Sequence, residues 1–143
     1  MLTRRSFLAA LAAATTAALA GSPPIALAAP PTVEIIALPH WPVRNALKPV
    51  RSYLAALHGR VRIIELDAES PKGERRLSAL GLKGHIPILL VINGNYQFKR
   101  ADGSPVTLKD FPAKTVDPTG VNGTWTVDDF KALVDARLGK PGQ

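Results

Sequence analysis

The sequence predicts an α/β domain with a four-stranded mixed sheet and helices on both of its faces. Two observations carry this prediction. Short, β-branched apolar runs alternate with longer segments in which apolar residues recur at helical spacing. The third run is followed by Asn93-Gly94, a dipeptide typical of a tight turn between antiparallel strands. The expected order of elements is therefore β-α-β-α-β-β-α, within the single domain for which a chain of 143 residues has room.

The first strand and the first helix are predicted at residues 32–38 and 43–58. The strand residues are nearly all apolar, which is typical of a strand buried on both faces. Apolar residues at helical spacing define the helix, and Gly59 is suited to end it. Pro49 lies inside this helix and should kink it, because proline removes a backbone hydrogen-bond donor.

The second strand and helix are predicted at residues 61–66 and 71–80. Ser70 is suited to cap this helix, Pro71 fits its first turn, and Gly81 ends it. Because a helix joins the first two strands, those strands can lie parallel through a right-handed crossover.

The second half of the chain predicts a hairpin and a long loop. A buried strand at residues 86–92 should be followed by an antiparallel return at 96–99. Residues 101–123 are rich in Gly, Pro, Asp and Lys, and we interpret them as a long loop with a short extended piece at 106–108.

A closing helix is predicted at residues 127–138, with Thr126 as its N-cap. Trp125 is expected to pack at the mouth of this helix. Three cations on the first helix recur at helical spacing and are interpreted as a solvated face, with an anionic partner as the alternative. These cations are Arg44, Lys48 and Arg51.

The start of the chain has the pattern of an export signal. Arg4-Arg5 precede a short alanine-rich apolar stretch at residues 9–20, and residues 3–8 resemble the Ser/Thr-Arg-Arg-x-Phe-Leu core of a twin-arginine signal. The apolar stretch is shorter than the roughly 20 residues that span a bilayer. That resemblance implies export of the protein in its folded form.

A processing site is predicted at Ala26-Leu27-Ala28, which has small residues at its first and third positions. A second candidate lies at residues 18–20. We therefore expect a signal peptide at residues 1–28 and a domain at 29–143 that is periplasmic or otherwise exported, with no transmembrane segment after signal removal. An uncleaved anchor and a general secretory signal are the alternatives.

Composition removes one class of chemistry and favours one class of partner. The chain has no cysteine, which excludes thiol catalysis and metal-thiolate sites. The formal net charge is +7, and loss of the signal would leave a basic domain. Positive charge favours acidic proteins, anionic envelope polymers or lipid head groups as partners. Nucleic acid is disfavoured as a partner of an exported protein.

Several ordered features resemble thioredoxin-like proteins in their minimal, glutaredoxin-sized form, over residues 32–100 and 123–138. The features are the kinking Pro49, the positions of Trp41 and Arg44 where the Cys-x-x-Cys pair would lie, Gly84-His85-Ile86-Pro87 where the cis-proline loop would lie, the Asn93-Gly94 turn and the helix after Thr126. The resemblance implies a thioredoxin-like fold with a cis peptide bond before Pro87.

The departures from this family exclude its reaction. In the family one sulfur attacks a disulfide and a second sulfur resolves the intermediate, and neither Trp41 nor Arg44 can do this. The family often places a buried acid in the first strand, at the position that Ile35 occupies in this chain. A dithiol oxidoreductase activity is therefore excluded, and the sequence predicts a redox-inactive protein without a cofactor.

What the resemblance still implies is a binding surface. In the family the loop before the cis-proline pairs with an extended segment of substrate through backbone groups, which requires no sulfur. The residues carried over are His85, Ile86 and Pro87 in the loop, Trp41 as an aromatic anchor and Arg44 as a source of charge selectivity. The implied partner is an exported protein or peptide. The alternative role for Trp41 is to fill space left by the lost active site.

Two other functions remain open at this stage. His40 and His85 lie near the same end of the predicted fold and could contribute to a small-ligand or metal site, although two ligands are too few for a metal. Solvated loop histidines are the simpler interpretation. An enzyme with unrecognised chemistry is the last alternative, and the sequence shows no convincing catalytic triad, phosphate loop or carboxylate pair.

Overall fold

The computed structural model describes residues 28–114 and 121–139. Arg4-Arg5, the apolar stretch after them, the first two residues of the predicted processing site and part of the long loop lie outside the described residues. Among the helices that the structure describes, none has the length and hydrophobicity that a transmembrane span requires.

Three helices and five short strands make up the described fold. In chain order they are β1 (Thr32–Ala37), α1 (Trp41–Ala56), β2 (Arg62–Asp67), α2 (Pro71–Ala79), β3 (Ile88–Ile92), β4 (Gln97–Lys99), β5 (Pro105–Thr107) and α3 (Val127–Leu138). The predicted order is present up to β4. The short extended piece of the long loop is present as β5, one residue earlier than predicted.

The main sheet has three strands in the order β2-β1-β3. β1 runs parallel to β2 and antiparallel to β3, in an unbroken register with each neighbour. The α/β class is therefore confirmed. The predicted four-stranded sheet is not formed as expected, because β4 pairs with β5 in a separate two-stranded sheet.

The outer neighbour of β3 is supplied by residues 108–110 instead of by β4. The Asn93-Gly94 turn does form, since the amides of Ile92 and Asn95 each donate to the other's carbonyl. The chain then leaves the sheet, and the amide of Leu90 donates to the Leu108 carbonyl at 2.9 Å. β3 is buried at every position, so an apolar neighbour such as the buried Leu108 suits it better than the polar β4.

The helices lie on opposite faces of the sheet. On one face α1 packs against α3, where the rings of Tyr53 and Phe130 meet edge to face at 6.1 Å. The Tyr53 hydroxyl donates to Asp135 at 2.5 Å, and burial together with this contact raises the pKa of Tyr53. On the other face α2 is held to β1 by an ion pair between Arg76 and Glu34.

Local contacts fix the start of each later helix. The Ser70 hydroxyl accepts a hydrogen bond from the amide of Gly73 at 3.0 Å and so caps α2 as predicted. α2 approaches the end of β2 so closely that a Cβ at position 73 would overlap the Asp67 carbonyl oxygen. Before α3, Trp125 is fully buried and its indole nitrogen donates to the Asp110 carbonyl at 3.0 Å.

Candidate binding site at the amino-terminal end of α1

Trp41 is the most exposed large apolar side chain in the part of the chain that the structure describes. It is the first residue of α1, because Pro42 fits the first turn of a helix and lets α1 begin earlier than predicted. The side chain is 67% exposed. An indole this exposed does not fill an internal space, so the space-filling interpretation of Trp41 is wrong. The exposed position is compatible with an anchor for a partner.

A cleft of about 520 Å³ opens at the same end of the fold. It lies between the end of β1, the β2–α2 connection, α2 and the loop that leads into β3. Its lining residues are Leu38, Ala68, Glu69, Glu74, Leu77, Ser78, Leu82, Lys83, Gly84, His85 and Ile86. Trp41 does not line this cleft, but the residue before it, His40, lies beside it with Nε2 4.0 Å from Oε1 of Glu69. The carboxyl end of a parallel strand pair is a common place for ligands in α/β sheets.

The loop of residues 83–86 has no backbone hydrogen bond to any other described residue. Pairing begins only at Pro87, whose carbonyl accepts the amide of Leu38 at 3.0 Å. Ile86 is only 5% exposed and lines the cleft. Buried backbone amides and carbonyls are nearly always paired, so the unpaired groups of Ile86 indicate a position where a partner's backbone can bind.

The peptide bond before Pro87 is trans, as are all peptide bonds in the described residues. The expectation of a cis-proline is therefore wrong for this chain. The trans form is the lower in energy for bonds to proline, by roughly 0.5–1 kcal/mol. The Pro87 carbonyl extends the pairing of β3 with β1 by one residue.

Neither histidine at this end belongs to a recognisable metal site. Both His40 and His85 are exposed, and His40 has Glu69 as its acidic neighbour. In residues 28–114 and 121–139 no group of three or more histidines, cysteines or acids is arranged to hold a metal ion. His85 lines the cleft and His40 lies beside Glu69 on its rim, so both imidazoles offer hydrogen-bonding groups there.

The predicted basic face of α1 is smaller than expected. Arg51 forms a bidentate pair with Glu65 of β2, with both nitrogen–oxygen distances at 3.1 Å, so it is not a free solvated cation. Arg44 and Lys48 are exposed and have no acidic partner within 4.0 Å among the described residues. Arg44 lies three residues after Trp41 and lines a second pocket, of about 250 Å³, together with Arg51 and Glu65.

Sequence reasoning missed a buried carboxylate in β1. Glu34 is almost fully buried, and its two oxygens accept hydrogen bonds from Arg76 at 2.6 Å each. These hydrogen bonds raise the pKa of Arg76. The available signal was one charged residue within an apolar strand, which requires a partner when buried. Because both oxygens are occupied, Glu34 stabilises the fold and is not a free acid or base.

Comparisons with known protein families, with curated proteins and with solved structures find no match for this chain. The interpretation of the site therefore depends on its own geometry. That geometry offers an exposed indole, unpaired backbone groups beside a cleft, and side chains of both charges on the rim. This combination is suited to recognising an extended chain.

Proposed function

We propose that this chain is an exported, redox-inactive protein with a thioredoxin-like domain that binds an extended segment of a partner protein beside Trp41. The observation that carries the proposal is the unpaired backbone of residues 83–86 along the cleft. An extended segment can add to such a backbone as a further strand, and the cleft can receive alternate side chains. Trp41 then covers the segment at one end, and Arg44 favours acidic residues there.

The thioredoxin-like part of the proposal has partial support. The order β2-β1-β3, with α1 and α3 on one face and α2 on the other, agrees with the resemblance found in the sequence. The trans bond at Pro87 and the separate β4–β5 sheet are two departures from what that resemblance implies. Strand addition does not depend on this bond, because it uses backbone groups of the preceding residues.

The proposal is tested by selecting peptides that bind the purified protein and measuring their affinities. Trp41→Ala should weaken the selected peptides by about tenfold or more, as expected for removal of an aromatic anchor. Methylation of alternate backbone nitrogens in the peptide should abolish binding, because strand addition requires those donors. Leu57→Ala is the matched control, since it removes a partly exposed apolar side chain at the opposite end of α1.

Two results would contradict the proposal. One is full affinity of the methylated peptides, which would show that backbone pairing is not used. The other is equal affinity for the wild type and for Trp41→Ala, with Leu57→Ala also unchanged. Folding of each variant is checked by circular dichroism and by the emission of the fully buried Trp125.

A further inference from the structure

The outer edge of β2 is a second surface with unpaired backbone groups, and it is independent of the cleft. Arg62 donates its amide to Pro31 at 2.9 Å and Ala68 donates to Ala37 at 3.0 Å, so the even-numbered residues face β1. In a parallel pair of strands, the residues between those that face the neighbouring strand point their amides and carbonyls away from that strand. Ile63 and Glu65 therefore turn both backbone groups outward, where no described residue pairs with them.

The edge lacks two of the devices that usually protect a free strand, although three of its six residues are charged. β2 contains no proline, and its register against β1 is unbroken over all six residues, so no bulge interrupts it. Ile63 is 44% exposed. Both acids of β2 are exposed but already have partners, because Glu65 is bound by Arg51 and Asp67 Oδ1 accepts the amide of Glu69 at 2.9 Å.

Positive charge remains beside this edge. A groove of about 420 Å³ between β2 and α2 is lined by Ile64, Leu66, Lys72, Arg75, Arg76 and Ala79. Arg76 is neutralised by Glu34. Lys72 and Arg75 are exposed and have no acid within 4.0 Å among the described residues, and the same is true of Arg62 at the start of β2.

We propose that the edge of β2 binds an acidic extended segment of a partner protein by strand addition. The outward groups of Ile63 and Glu65 would supply the backbone hydrogen bonds. Side chains on one face of the added strand would lie beside Ile64 and Leu66, within reach of the cations of α2. Apolar residues of the segment would contact the groove and its acidic residues would pair with Lys72 and Arg75.

A second copy of this chain is a poorer occupant for the same edge. Pairing β2 with β2 around a two-fold axis would bring two sets of unpaired cations together: Arg62, Lys72 and Arg75 of each copy. Like charges brought together across an interface disfavour association. An acidic segment provides the opposite charge and leaves the strand geometry unchanged.

The test measures binding of synthetic octapeptides that alternate valine with glutamate or valine with lysine. We expect the acidic peptide to bind the purified protein about tenfold or more tightly than the basic one, with affinity that falls as salt is added. Lys72→Glu combined with Arg75→Glu should reverse the preference. Ile63→Pro should weaken both peptides, because it removes an outward donor while leaving the bonds to β1 in place.

Any of three outcomes overturns the proposal: equal affinity for the two peptides, no effect of the charge reversal, or a dimer that forms through β2 and excludes the acidic peptide. If Ile63→Pro fails to fold, as judged from Trp125 emission, the charge-reversed variant and an N-methylated acidic peptide decide between these outcomes. In a Trp41→Ala background the charge reversal at Lys72 and Arg75 should still reverse the preference between the two peptides, which separates this edge from the cleft.

Discussion

At the residue scale, Glu34 shows how one buried charge positions a helix. β1 is otherwise apolar, and a carboxylate inside such a strand is costly unless it is paired and hydrogen-bonded. Arg76 meets both oxygens of Glu34 and so fixes the distance and rotation of α2 relative to the sheet. α2 in turn forms one wall of the cleft through Glu74, Leu77 and Ser78. The pair therefore connects the core to the candidate site.

Removal of Arg76 should be strongly destabilising. Arg76→Ala leaves the Glu34 carboxylate buried without its partner, and we expect a loss of about 2–4 kcal/mol in the free energy of unfolding. The expected loss in the free energy of unfolding is smaller than for a fully buried pair, because the arginine side chain is 33% exposed. Chemical denaturation followed through Trp125 emission measures this change.

Two further variants separate the charge effect from loss of contact area. Arg75→Ala is the matched control, because it removes the neighbouring exposed arginine and should change stability by less than about 0.5 kcal/mol. Replacing the pair with Glu34→Leu and Arg76→Met should recover most of the lost stability, because an apolar pair of similar volume carries no desolvation cost. A double variant as unstable as Arg76→Ala would contradict this explanation.

The position of Glu34 was visible in the sequence, but its partner was not. Three cations on α2, namely Lys72, Arg75 and Arg76, compete for the role at nearby helical positions. The rotation of α2 on the sheet decides between them, and that rotation depends on tertiary packing. The exposure of Trp41 was undecided for the same reason, since the sequence does not state whether a neighbouring element covers it.

At the element scale, local signals predicted where elements begin and end better than they predicted which elements lie side by side. Ser70 and Thr126 cap helices as predicted, because a cap depends on residues only a few positions apart. The Asn93-Gly94 turn also forms. The strand beside β3 was predicted wrongly, because burial favours Leu108 over the nearer but polar β4. Closeness along the sequence does not show which of these two segments will pair with β3.

The cap of α3 makes stability depend on pH. Thr126 and Asp129 form a capping box, and Arg100 of the β4–β5 hairpin binds both oxygens of Asp129. The hydrogen bonds from Arg100 hold the pKa of Asp129 below its ordinary value. Because unfolding returns this pKa to its ordinary value, the stabilisation is complete above the usual carboxyl range and is lost as pH falls through the folded-state pKa.

We therefore expect Asp129→Asn to flatten the acid limb of the stability curve. Unfolding free energies measured between about pH 5 and pH 2 should fall less steeply in the variant than in the wild type. Asp128→Asn is the matched control, because it removes the adjacent exposed carboxylate without touching the cap or Arg100. An acid limb of unchanged slope in Asp129→Asn would show that another carboxylate dominates.

At the scale of the whole molecule, the two candidate surfaces lie on one small domain and share its excess of positive charge. The cleft beside Trp41 and the edge of β2 both offer unpaired backbone, and neither requires a thiol. A chain without cysteine keeps these properties whether its surroundings are oxidising or reducing. Recognition of extended segments is therefore compatible with the proposed location outside the cytoplasm.

Export itself is tested by changing the arginine pair without changing its charge. Arg4→Lys combined with Arg5→Lys should leave the protein in the cytoplasm at full length, because a twin-arginine signal is read through the two guanidinium groups. The wild type should appear in the exported fraction and begin at Ala29 when its mass is measured. The same conservative change at Arg60 and Arg62 is the matched control, since these exposed arginines lie in the folded domain.

The outcomes distinguish three ways of leaving the cytoplasm. Unimpaired export of the lysine variant would indicate a general secretory signal, and an exported protein of full length would indicate an uncleaved anchor.

The twin-arginine route carries folded proteins, so a variant that lowers stability should also lower export. Arg76→Ala should therefore reach the exported fraction in smaller amounts than Arg75→Ala, since the buried Glu34 is unpaired only in the former. Equal export of these two variants, with Arg76→Ala shown to be the less stable, would contradict export in the folded form.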